Sequence, residues 1–102
     1  PYVLRFNSAD SKTTKNYAEL APFIFPDINT DQGNQAVCKE FIDQLEFLSK
    51  KIGLPQKLRE VNIPKDACKK MASDAMKQSR LLINNPREVT ENDALNIYEA
   101  AW

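Results

Sequence analysis

Apolar positions recur at steps of three and four residues almost throughout the chain, and alternating apolar/polar runs are nearly absent. That period predicts helices. The clearest run covers residues 30–52, where Val37, Phe41, Leu45, Leu48 and Ile52 form one stripe and Cys38 and Ile42 widen it. Asn29 or Thr30 suits the N-cap, and Asp31 sits in the first turn. Lys50 and Lys51 sit in the last turn, with Gly53 as a left-handed stop and Pro55 just beyond. An earlier helix is predicted over about 12–25 from Tyr17, Leu20, Ala21 and Ile24. Pro22 is placed to end or kink it, and Pro26 closes the segment. A third helix over about 65–79 would bury Ala67, Cys68, Met71, Ala72, Ala75 and Met76, side chains mostly small enough to let a neighbour approach closely. The last helix starts at Thr90, which pairs with Asp93 as a capping box, and packs through Leu95, Ile97, Tyr98, Ala101 and Trp102.

The connecting segments are less regular. Residues 1–7 read either as turns of a helix whose beginning lies outside the chain or as an ordered arm or edge strand, since Tyr, Val and Phe also suit strands. Residues 8–14 are polar and turn-rich. Pro55 can open a short helical turn carrying Leu58, with Val61 and Ile63 tucked beneath it. Residues 81–87 read as a loop with an apolar front half, because Asn85 precedes a proline and is biased away from helix. The fold class is all-α: a small antiparallel helical bundle of about four main helices plus a short helical turn.

With 102 residues the chain suits one small domain. Fourteen basic and fourteen acidic side chains leave no net charge, which argues against a general nucleic-acid or membrane-surface binder. No apolar run approaches the roughly 18 residues of a membrane span. No signal-peptide pattern opens the chain. Two cysteines thirty positions apart form neither a disulfide framework nor a zinc spacing, and the expected compartment is a reducing cytoplasm. Charge is unevenly spread: residues 50–80 hold nine basic and three acidic side chains. This reads as a basic face for an acidic partner or nucleotide, or as solvated helix faces. The lack of aromatic residues among the lysines favours the second.

Histidine is absent, which removes the usual general base and the commonest metal ligand. Cys38 and Cys68 lie on apolar stripes and read as buried, inert thiols rather than nucleophiles. Asp43 and Glu46, with Glu40 nearby, could converge on a metal, but a solvated acidic face explains them more simply. There is no EF-hand loop, Gly-rich phosphate loop or dinucleotide fingerprint.

Three stretches carry a recognisable pattern. They are P-Y-V-L-R-F-N at 1–7, G-L-P-Q-K-L-R-E-V-N-I-P at 53–64 and N-N-P-R-E-V-T-E-N-D-A-L-N-I-Y-E-A-A-W at 84–102. Their order and spacing resemble the C-terminal part of the iron-containing (group III) alcohol dehydrogenase family; residues 17–52 depart most in identity. The resemblance implies a parent enzyme with an N-terminal nucleotide-binding domain and a helical C-terminal domain. It would use NAD(P) and Fe²⁺, held by one Asp and three His of the helical domain. It would interconvert alcohols with aldehydes or ketones by hydride transfer.

This sequence lacks those histidines. The expectation is therefore that residues 1–102 are a C-terminal helical subdomain that begins just after the metal ligands. Metal and cofactor sites would lie in the remainder of the parent enzyme, its expected partner. The isolated chain would be inactive, with no nucleic acid or membrane partner, and the parent is a possible homo-oligomer. The resemblance also implies that Leu81 and Leu82 wall the substrate pocket; the alternative is an ordinary connecting loop. Arg87 would contact substrate, or pin the loop by an ion pair with Glu88 or Glu91. Two further readings stay open: a non-enzymatic helical interaction module, and a homologue that has lost its metal and taken another role.

Overall fold

A computed structural model describes all of residues 1–102, which form six α-helices, two 3-10 turns and no strands. The chain divides into two compact units. One holds Pro1 and residues 3–53, the other Tyr2 and residues 54–102.

The first unit is built on α2 (Ser11–Ile24) and α3 (Asn34–Lys51), which pack against each other. Helix α1 (Tyr2–Asn7) confirms the helical reading of the opening residues. Asp10 caps α2, its carboxylate accepting from the Thr13 amide and hydroxyl, both at 2.8 Å. Ala18 and Ala21 let the helices approach, and Val37, Cys38, Phe41 and Ile42 fill the seam with Ile28. The Phe41 ring meets Tyr17 at 6.3 Å and Phe25 at 6.0 Å, distances favourable for tilted and edge-on aromatic pairs. Buried polar groups close the α1–α2 turn. Asn7 donates to the Tyr17 hydroxyl, and Thr14 donates to the Ser8 carbonyl at 2.7 Å.

Several expectations change here. Pro22 does not end α2, which runs on to Ile24; its missing N–H leaves a single carbonyl, that of Ala18, without a helical donor. Phe25 still donates to Ala21 at 2.8 Å. The buried residues of α2 are Thr13, Thr14, Ala18 and Ala21, whereas Leu20 and Ile24 are exposed. The helix predicted over 30–52 is broken. Thr30–Gln32 forms a 3-10 turn capped by Asn29, and Gly33, at φ +91° and ψ 154°, separates it from α3. On α3 only Val37, Cys38, Phe41 and Ile42 are buried, while Leu48 and Ile52 lie open to solvent. Gly53, at φ +81°, provides the expected stop.

In the second unit α4 (Ala67–Ala75) packs on α6 (Glu91–Ala101) through Cys68, Ala72 and Ala94. The Thr90–Asp93 capping box is present in full: the Thr90 hydroxyl accepts from the Asp93 amide at 3.2 Å, and the Asp93 carboxylate from the Thr90 amide at 3.0 Å. Leu58–Val61 forms the short turn foreseen after Pro55, closed by Asn62 in the left-handed region that Asn tolerates. Val61 is exposed rather than tucked under it. The helix predicted over 65–79 stops at Ala75, where tighter bonds from Lys77 to Asp74 and from Gln78 to Ala75 turn the chain. A separate short helix, α5 (Ser79–Leu82), follows and takes in the first two residues of the segment read as a loop; residues 83–87 turn without helix, as expected.

Candidate functional site

The apolar segment singled out in the sequence starts on α5. Leu81 is 71% exposed and Ile83 83%, while Leu82 is half-buried. Asn84 donates to the Arg80 carbonyl at 2.7 Å and Asn85 to the Arg87 carbonyl at 2.6 Å, so side-chain amides fix the turn beneath these residues. Leu81 and Ile83 therefore stand out as apolar projections on a braced turn. The Thr90 amide, and after it the Thr90 hydroxyl, hold the Asp93 carboxyl below its usual range, and Arg87 adds a smaller pull in the same direction.

Neither cysteine is poised to react. Cys38 is 2% exposed and Cys68 1%, and both are free thiols. Burial pushes the Cys38 thiol up, against the pull of a hydrogen bond with Thr14, so it is held protonated.

The acidic side chains of α3 are already engaged. Arg5 of α1 reaches both Asp43, at 3.1 Å, and Glu46, and Lys39 reaches Asp43 at 2.6 Å. These cations hold Asp43 below the usual carboxylate range, Lys39 more than Arg5, while Glu46 above all raises the Arg5 guanidinium. Glu40 accepts from Gln32 and Gln44. A cavity of about 290 Å³ opens beside this network, lined by Arg5, Ser8, Thr14, Cys38, Lys39 and Asp43 among others. Its walls carry no histidine and no nucleophile–base pair, so the arrangement ties α1 to α3 rather than performing chemistry.

The sequence profile of the Fe-containing alcohol dehydrogenase family, C-terminal, matches residues 1–102. The chain belongs to this family. It is 30% identical to long-chain-alcohol dehydrogenase 1 of Geobacillus thermodenitrificans (strain NG80-2), over all of this chain and 25% of that protein. It is 31% identical to NADH-dependent butanol dehydrogenase A of Clostridium acetobutylicum, over 74% of this chain and 19% of that protein. The chain thus spans a quarter or less of the length of these relatives. No solved structure matches it.

The iron in the family's name has no fitting ligand set among residues 1–102. Histidine is missing, no three His, Cys, Asp or Glu side chains gather into a metal-binding group, and the nearest acidic cluster is neutralised by Arg5 and Lys39. No helix is long and apolar enough to cross a membrane.

Sequence reasoning missed one polar-aromatic cluster in the second unit. The Lys57 ammonium lies 5.0 Å from the Tyr2 ring centre and donates to the Ala100 carbonyl at 2.8 Å. Arg59 and Lys65 lie 5.5 and 5.4 Å from the Trp102 ring centre, and the Trp102 indole donates to the Ile63 carbonyl at 2.9 Å. The cations did lack aromatic neighbours in sequence. Folding brings the rings to them from residues far away in the chain.

Proposed function

We propose that residues 1–102 serve as the C-terminal helical subdomain of an NAD(P)- and Fe²⁺-dependent alcohol dehydrogenase. The longer enzyme would interconvert alcohols with aldehydes or ketones by hydride transfer. The reading rests on the family match, which covers the chain from end to end, while the chain covers at most a quarter of its relatives. The names of those relatives, a long-chain-alcohol and a butanol dehydrogenase, favour aliphatic alcohols as the substrate class. Exposed apolar side chains support a subdomain with further surface to bury. Phe23 is 85% exposed and Phe47 67%, and both are large enough for burial to be worth about 2 kcal/mol each.

In this reading the metal and nicotinamide bind outside residues 1–102, and the chain alone is inactive. Its own contribution is packing and an apolar wall at Leu81 and Leu82. Leu81 is open and mounted on a braced turn, as a wall residue facing an alkyl chain requires. The test is Leu81→Ala in the full-length enzyme. Removing the isobutyl group should lower kcat/KM for long alcohols relative to short ones by roughly fivefold or more. An unchanged ratio would count against the assignment. If the full-length enzyme oxidised no alcohol with either nicotinamide cofactor, the whole reading would fail, and a helical interaction module would take its place.

A further inference from the structure

The cluster around Trp102 has a property that none of the other ion networks shares. Arg5, Lys15, Lys39 and Lys77 each contact a carboxylate within 4 Å. Lys57, Arg59 and Lys65 instead contact ring faces and a carbonyl. Attraction to a ring quadrupole positions a cation without cancelling its charge. Arg59 and Lys65 lie 5.5 and 5.4 Å from the centre of one ring, so two like charges are held beside the same side chain. A pre-positioned pair of like charges gains from an arriving anion and loses little side-chain freedom in meeting it.

The remaining residues indicate which kind of anion. Trp, Tyr and Arg are the residue types enriched at the energetic centres of protein interfaces. Here Trp102 and Tyr2 are half-buried, and Arg59 and Lys65 are exposed around them. Each ring is anchored by a polar bond, the indole to Ile63 and the Tyr2 hydroxyl to Gln56 at 3.3 Å, so the platform does not need to be ordered on binding. A single phosphate group would use the charges but leave the aromatic platform idle.

We infer that Lys57, Arg59, Lys65, Tyr2 and Trp102 form a docking surface for an acidic segment of a protein partner, its carboxylates meeting the cations and its stem lying along the parts of the rings that the cations leave open. The inference does not depend on the dehydrogenase reading.

Trp102 is the only tryptophan in the chain, so its emission reports directly on the surface. The chain is titrated with a dye-labelled oligoglutamate peptide, and both tryptophan emission and peptide anisotropy are followed. Saturable binding is expected, weakening with salt and falling roughly two- to fivefold for each of Arg59→Gln and Lys65→Gln. Arg59→Lys with Lys65→Arg should keep most of the affinity, which separates loss of charge from loss of fold. Lys12→Gln, an exposed cation in the other unit, should change nothing. No saturable binding, an equal loss in Lys12→Gln, or inorganic phosphate competing as well as the peptide at matched charge would each overturn the inference.

Discussion

At the scale of single residues, charge is used to join helices rather than to build a reactive centre. Arg5 gathers Asp43 and Glu46, and Lys39 adds a second cation to Asp43. The Asp43 carboxyl is consequently more acidic in the folded chain than in the unfolded one. A depressed pKa contributes stability that is complete above the unfolded value, about 3.9, and is lost as pH falls through the folded value. Asp43→Asn should therefore cost under about 1 kcal/mol near neutrality, since the pair is largely exposed. The gap between variant and parent should close below about pH 4. Urea midpoints measured across pH check this; a gap independent of pH would contradict it. The Lys39–Asp43 pair, four residues apart on one helix, is of a kind that sequence spacing signals; the Arg5 contacts were not legible, because residues 38 and 41 positions apart carry no local signal of pairing. The Thr90–Asp93 box was legible, because all its partners lie within one turn.

At the scale of elements, the start and stop signals that worked were those acting through covalent geometry or near neighbours. Gly53 ends α3 as its position after the last basic turn predicts, whereas Gly33 interrupts a stretch whose start signals at Asn29 and Thr30 predict one unbroken helix. Its backbone, at φ +91° and ψ 154°, lies in a region essentially reserved for glycine. A Cβ there would touch nothing within 4 Å, so any cost of substitution is conformational. Gly33→Ala should destabilise the chain by roughly 1–3 kcal/mol. D-alanine at the same position, introduced by chemical ligation, should restore most of the loss; equal destabilisation by both enantiomers would show that the backbone is not the cause. Helix faces were read less well. The period at Leu20, Ile24, Leu48 and Ile52 is helical as expected, yet these residues are exposed. A stripe records which side of a helix is apolar, not how far along its length a neighbour extends. The early stop of α4 at Ala75 had no glycine or proline to announce it.

At the scale of the whole molecule, the all-helical class and the family were both readable. The first followed from period alone, the second from three motifs spread along the chain and then from the profile match over residues 1–102. The candidate wall at Leu81 and Leu82 came from the resemblance, and the helical character of α5 did not. The aromatic-cation cluster was unreadable because its rings come from positions 2 and 102, far from the cations they serve. For metal, the donor inventory decides. With no histidine and its acidic cluster already paired with cations, the purified chain should take up no stoichiometric Fe²⁺ or Zn²⁺ in calorimetry. Tight one-to-one uptake would overturn that expectation and with it the placement of the metal outside these residues.

The two thiols have a practical use that follows from their placement. Cys38 is sealed in the first unit and Cys68 in the second, and each reacts with an alkylating reagent only when its surroundings open. Mass spectrometry of the separately modified peptides, under native conditions, would yield one opening free energy for each half of the chain without introducing any label. Rates that coincide at every denaturant concentration would mean that the halves melt as one; rates that part company would mean that each breathes on its own clock.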